Sequence, residues 1–326
     1  LNITEDLDVY KTQLLHPYLL SHIYENLESS KGFRDFIFKN DVATWFIFSD
    51  YCLDDKNKPN NVITFTVIAL NKSKDFELIK NILSILQPKD LKHSKKINPA
   101  FLNFISLIPV FNISYILPNN RNIIRAFNFE ELSFLKMRYS SLENYYRRLQ
   151  AFPLIDLKFT KVIKDLKLIQ NKFDSKSVSL GIYRDIEIVN CVVSSICMMI
   201  SSKLNGLKKF IWVSDRDSIL NFEKAKLSSP LIFSIINATF NSLIKTDNKL
   251  SFYNHLENNK PELDCFNRIP DIVAGTLADM NKHTVSKEKY IHILRDYLTD
   301  DSLNHIAKLH LNNDKYGITT ISLYKD

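Results

Sequence analysis

The chain has 326 residues, 45% hydrophobic and 24% charged, which is enough for a large core and one or two domains. Lys and Arg outnumber Asp and Glu by 43 to 36, and the resulting +7 with a pI near 9.0 suits a polyanionic partner or reflects only a Lys- and Asn-rich coding bias. The five glycines are too dispersed for a P-loop or a G-x-G-x-x-G turn, and H-E-x-x-H and G-x-S-x-G are absent, so those nucleotide-binding folds, zincins and α/β-hydrolases are excluded.

Cys52, Cys191, Cys197 and Cys265 form no C-x-x-C pair, so neither a zinc knuckle nor a thioredoxin motif is present. Sparse thiols in a long chain point to a reduced, cytoplasmic setting. The start on Leu1 rather than Met reads as a piece of a longer chain.

In chain order, residues 4 to 40 read as helical, with Leu15, Leu19, Ile23 and Leu27 at helical spacing. Thr44 to Phe48 is the first strand and ends at Ser49-Asp50. A polar loop then leads to a second strand, Val62 to Leu70, and the pair reads as an antiparallel hairpin. Asp75 to Leu86 is an amphipathic helix stopped by Pro88. The basic stretch 89–96 follows, containing Lys92, His93, Lys95 and Lys96, and then a short helix over Pro99 to Leu107. Val110 to Leu117 is a third strand.

From 128 to 206 the periodicity is helical throughout, over Phe129 to Leu149, Leu157 to Asn171 and Tyr183 to Leu204. Arg138, Arg147 and Arg148, among Tyr139, Tyr145 and Tyr146, read either as a solvated face with aromatic staples or as a surface for a nucleic-acid backbone. The apolar run Ile188 to Ser202 falls short of the roughly 20 residues that span a bilayer and reads as a buried helix.

Phe210 to Ser214 is a strand buried on both faces that stops on acids, Asp215 and Asp217. Helix 230–245, strand 250–253 and a helix from Ile269 to Asn281 follow. Helices over Lys287 to Leu298 and Ser302 to Leu311, and an edge strand over Ile318 to Tyr324, complete the chain.

Asp50 and Asp215 each end a strand. As parallel neighbours they would stand about 4.8 Å apart, where ligands of open sheets bind. Asp271 opens the late helix, with Gly275 and Asp279 on the same stripe. Carboxylates that share a crevice repel each other unless a cation or proton intervenes, and Mg²⁺ or Mn²⁺ prefers such oxygen ligands. Each acid has a structural alternative as well: a loop start for Asp50, a helix cap for Asp215 or Asp217, a first-turn acid for Asp271.

Several segments together resemble a bacterial and phage family of domains of unknown function with a ribonuclease-H-like fold. They are Phe46-Ile47-Phe48-Ser49-Asp50, Thr64-Phe65-Thr66-Val67-Ile68-Ala69, Leu91-Lys92-His93-Ser94, Trp212-Val213-Ser214-Asp215 and Pro270-Asp271-Ile272-Val273-Ala274-Gly275. The family opens on an Asp-Glu-Ser-Gly strand; here Asp50 matches, while Tyr51 and Leu53 stand at the Glu and Gly positions. The resemblance implies an α/β fold with a mixed sheet of three early and two later strands, helices on both faces and an inserted helical bundle.

The segments are then 1–40 (helical appendage), 41–127 and 207–285 (halves of the domain), 128–206 (bundle) and 286–326 (terminal helices and edge strand). It also implies a metal-dependent nuclease of mobile elements or phage defence. Asp50, Asp215 and Asp271 would be ligands, with Asp217 and Asp279 as helpers and Asp54, Asp55 or Asp217 as replacements for the missing Glu. Lys92 and His93 would stand at the scissile phosphate, and Lys95, Lys96, Arg138, Arg147 and Arg148 on the nucleic acid. The alternative is a degenerate module that binds nucleic acid, or a protein through the bundle or N-terminal helices. A secreted effector that grips a host protein through 1–39 is a third reading.

Overall fold

A computed structural model describes residues 17–70, 73–90, 94–121, 130–150, 157–175, 178–206, 208–215, 217–223, 225–244, 248–253, 263–312 and 315–324. Helices α1 (Pro17–Ser29) and α2 (Lys31–Lys39) lead into the hairpin β1 (Thr44–Cys52) and β2 (Asn61–Leu70). Then come α3 (Ser73–Leu86), α4 (Pro99–Ile105), β3 (Val110–Leu117), and the helices α5 (Glu131–Gln150), α6 (Leu157–Phe173) and α7 (Gly181–Lys203). The rest is β4 (Lys209–Ser214), α8 (Leu231–Leu243), β5 (Lys249–Tyr253), α9 (Asp264–Asp279), the small hairpin β6 (Met280–Asn281) and β7 (Thr284–Val285), and the strands β8 (Asn304–Asn312) and β9 (Lys315–Thr320).

Seven strands form one mixed sheet in the order β5-β4-β1-β2-β3-β8-β9. β1, β2 and β3 are successively antiparallel, whereas β4 runs parallel to β1 and β5 parallel to β4. β8 joins β3 in parallel, and β9 folds back on β8. β2 and β3 are buried along their whole length, which is why both read as continuous β-forming runs rather than as alternating ones.

Each face of the sheet carries its own core. Trp45, Ile47, Phe65, Phe111 and Trp212 pack on one side with α1, α2 and the helices α5 to α8. Phe48, Ile68 and Val213 pack on the other with α3, α4 and α9. α7 has the length and hydropathy of a membrane span, but 83% of its apolar window is buried inside the fold. It is the central helix of the first face. At Gly32 a Cβ would lie 2.0 Å from the Asp301 carbonyl oxygen, so only glycine lets α2 close on this turn.

The part of the expected helical stretch 4–40 before Pro17, with Leu15, lies outside the described residues. The hairpin, β3, β4, β5 and the described helices through α8 form where the sequence places them. The last forty residues do not all follow it. The segment expected to be a helix over Ser302 to Leu311 is β8, wedged between β3 and β9. His305, Ala307 and Leu309 turn to the first core and Ile306 to the second, and the open edge of β3 overrides helix propensity. The expected helix 287–298 forms as a continuous helical stretch over 288–297 that opens as a 3₁₀ turn (Glu288–Tyr290) and ends in a π-helical turn (Ile293–Tyr297), and the edge strand begins earlier than expected, at Lys315. α9 starts at Asp264, so Pro270 and Asp271 lie inside it rather than in its first turn.

His305 is 3% exposed, and its Nε2 donates to Asn26 Oδ1 at 2.8 Å. Burial pushes the imidazole from 6.5 down to about 4. The native state therefore excludes a proton that the unfolded chain binds, and stability is lost as pH falls below 6.5 toward 4. We expect this loss to reach roughly 3 kcal/mol. His305→Gln should flatten it in urea unfolding at pH 7 and 4.5; equal pH slopes for both proteins would contradict the assignment.

Candidate functional site

The geometry is set by strand register. Ser49 pairs with Ser214 across the parallel β1–β4 ladder, and the Asp215 N–H continues that ladder by donating to the Ser49 carbonyl at 3.0 Å. Asp50 and Asp215 are thus the next pair along. Side chains alternate along a strand, so both lie on the face of Phe48 and Val213, two residues earlier. That is the face that α9 covers, and α9 carries the half-buried Asp271.

The same row runs on across the sheet. Asp50 is opposite Thr64, and Thr64 is opposite Ser114, with the two hydroxyls 2.9 Å apart and fully buried. A second polar row lies beside it: Thr66 donates to Asn112 Oδ1 at 2.7 Å, and Asn112 Nδ2 donates to Asn304 Oδ1 at 3.0 Å. Asp50 and Asp215 are therefore one end of a polar row that continues through the hydrogen-bonded Thr64 and Ser114 on the face beneath α9.

Two contacts hold α9 over this stripe. Asn60, in the turn before β2, donates from Nδ2 to the carbonyls of Leu277 at 2.9 Å and Met280 at 2.6 Å. Asp279, expected to assist the metal, instead accepts from the Ser286 N–H at 2.7 Å, the Ser286 hydroxyl at 2.8 Å and the Lys287 N–H at 3.2 Å. It anchors the segment that carries Lys289.

Asp217 lies two residues beyond Asp215, whose charge acts on it. It reaches toward the opposite face, where the Ser214 hydroxyl donates to its Oδ2 at 3.3 Å and the N–H groups of Ile219 and Leu220 donate to Oδ1 at 2.7 and 2.9 Å. Burial raises its carboxyl to about 7, against the lowering effect of those two N–H groups. Tyr51 belongs to the same cluster: its phenol is 2.8 Å from the Ser49 hydroxyl and 3.3 Å from that of Ser214, and Trp212 Nε1 donates to Ser49 at 3.1 Å. Asp54 is bound by Arg121, whose NH1 and NH2 donate to it at 3.0 and 2.7 Å and whose Nε donates to Asp185 at 2.6 Å. Asp55 accepts from the Asn57 N–H at 3.0 Å. Asp54 and Asp55 are held by these partners, and Asp217 by its N–H donors.

Residues the sequence did not single out surround the acids. Lys58 Nζ lies 3.3 Å from Cys52 Sγ, two residues beyond Asp50 on the same face. Lys289 Nζ donates to the Ser94 carbonyl at 3.1 Å. Burial lowers its ammonium, Lys287 and Lys58 act in the same direction, and Asp271 opposes them. Lys58, Lys289 and Asp271 are therefore electrostatic neighbours. The polar loop before β2 contains Lys58 without singling it out, and no motif marked Lys289.

Lys95 and Lys96 are exposed on a groove beside Lys289. Lys92 and His93 lie outside the described residues. Among the described residues, no three His, Cys, Asp or Glu side chains form a ready metal cage. No protein-family model, curated protein or solved structure matches the chain.

On α5, Arg147 pairs with Glu143 at 2.7 Å and Arg148 is exposed, but Arg138 is not a surface residue. It is fully buried, 2.5 Å from the equally buried Glu187 on α7. Tyr139, Tyr145 and Tyr146 are core as well, because α5 packs this side inward. Arg138 therefore makes no nucleic-acid contact. Arg138→Met should cost about 3–5 kcal/mol by stranding Glu187, whereas Arg138→Met with Glu187→Leu should unfold near the wild type. Equal loss in the single and double variants, read by chemical denaturation, would contradict this role.

Proposed function

We propose that the chain is a metal-dependent nuclease with a ribonuclease-H-like core. The observation that carries the reading is the shared register of Asp50 and Asp215 on the face beneath α9, the helix of Asp271. Support also comes from the sheet: three early antiparallel strands, and two later ones running parallel to the first. The sequence resemblance implies these five strands; β8 and β9, which extend the sheet beyond β3, are not among them.

The donor chemistry fits a hard divalent ion. Asp50, Asp215 and Asp271 would hold Mg²⁺ or Mn²⁺, which supplies Lewis-acid stabilisation and a water acidic enough to act at neutral pH. Lys58 and Lys289 bring positive charge to the same rim for the phosphate of the substrate. Lys92 and His93 are assigned by resemblance to phosphate contact and, for His93, proton movement. Asp217 and Asp279 act as structural anchors in this scheme.

A second reading has a specific observation behind it. Tyr51 occupies the position of the family's Glu, and its phenol is bound by serines on the far face. Together with the lack of a ready cage among the described residues, this favours a module that binds nucleic acid without cutting it.

Labelled single-stranded and duplex RNA and DNA, incubated with Mn²⁺ or Mg²⁺, separate the two. We expect cleavage by the wild type, and a loss of more than about a hundredfold in Asp50→Asn and in Asp215→Asn with thermal unfolding unchanged. Absence of wild-type cleavage would leave the binding module as the account, and full activity in both variants would overturn the assignment of Asp50 and Asp215.

A further inference from the structure

A groove of about 770 Å³ runs between the end of α3, the segment 94–99 and the segment 288–292. Its rim carries Lys89, Lys95, Lys96, Lys289 and His292 against one acid, Glu288. Its wall is apolar, with Leu86, Ile97 and Leu102. Lys289 joins it to the acids: it lines the groove, its Nζ bonds the Ser94 carbonyl, and Asp271 acts on its ammonium.

We infer that this groove receives an unpaired nucleotide, so that the substrate is single-stranded nucleic acid. The inference rests on the nuclease reading for the cleavage step and on the groove alone for the binding step.

Two features decide the occupant. The first is charge complementarity: the excess of lysines on the rim attracts a phosphate chain, while the apolar wall takes a base face. The second is concavity. The volume lies within the roughly 300–1,000 Å³ of pockets that enclose a drug-sized ligand, and a nucleotide has that size. Bases in a duplex are stacked and paired, and enter a pocket only after extrusion at a cost of a few kcal/mol; an unpaired base enters without it. A strand seated with a base against Leu86 and Ile97 has its backbone along Lys95, Lys96 and Lys289, and leads toward Asp271.

The test is fluorescence anisotropy of the full chain with a labelled single-stranded 12-mer and with the matching duplex, in EDTA, so that cleavage plays no part. We expect the single strand to bind at least tenfold tighter than the duplex. Lys95→Glu with Lys96→Glu should weaken it at least tenfold, with a salt slope shallower by about 1.4 at roughly 0.7 per phosphate contact. Lys164→Glu with Lys167→Glu, on the exposed side of α6 across the sheet, controls for net charge and should change binding less than threefold. Duplex binding as tight as single-strand binding, no binding of either, or equal losses in the two double variants would overturn the inference. Single-strand binding without cleavage in Mn²⁺ would uphold the groove and refute the nuclease.

Discussion

The parallel zipper between β1 and β4 is the constraint on which the site depends. Its last rung is the Asp215 N–H on the Ser49 carbonyl at 3.0 Å. A slip of one residue would turn Asp215 to the other face and bring Ser214 beneath α9, because side chains alternate with period two. The register is protected by what lies behind it. Phe48 and Val213 are fully buried in one core, and Ile47 and Trp212 in the other. Shifting either strand would set Phe48 or Val213 in the opposite core, and a slip of β4 would turn Trp212 away from Phe233 and Phe252. Aliphatic and aromatic packing thus fixes the position of the two acids.

Opposed like charges on adjacent strands are unfavourable. The hydrophobic layers on either side hold the two acids level. On this face the polar groups form two adjacent rows, from Asp215 and Asp50 to Thr64 and Ser114 and from Thr66 through Asn112 to Asn304. α9 is tied to the hairpin by Asn60 and to the following segment by Asp279. That second tie also sets Lys289 at the rim, so the acidic stripe and the basic groove share one mechanical support.

Much of the sheet was legible because its strands announce themselves. Thr44–Phe48 and Phe210–Ser214 are apolar runs ending on acids, and their parallel pairing follows from where each meets charge. The tail was not legible. Asn304–Asn312 has enough leucine, lysine and alanine for a helix, and only the unpaired edge of β3 makes it a strand. Site reasoning failed in a related way. Arg138 and its neighbouring tyrosines share the composition of an exposed basic face, but α5 turns that side toward α7, and Glu187 lies too far away in sequence to betray the buried pair. Asp217 and Asp279 sit at the expected element ends, yet local N–H donors claim them, as caps do. The basic groove joins residues almost two hundred positions apart, which no local pattern reveals.

The central claim is that Asp50 and Asp215, brought level by one ladder, form with Asp271 a seat for a hard cation. Calorimetric titration with Mn²⁺ of the wild type and of Asp215→Asn addresses it without any substrate. The account predicts saturable heat for the wild type and at least tenfold weaker binding for the variant, at an unchanged unfolding temperature. Identical isotherms, or no heat from the wild type, would contradict it.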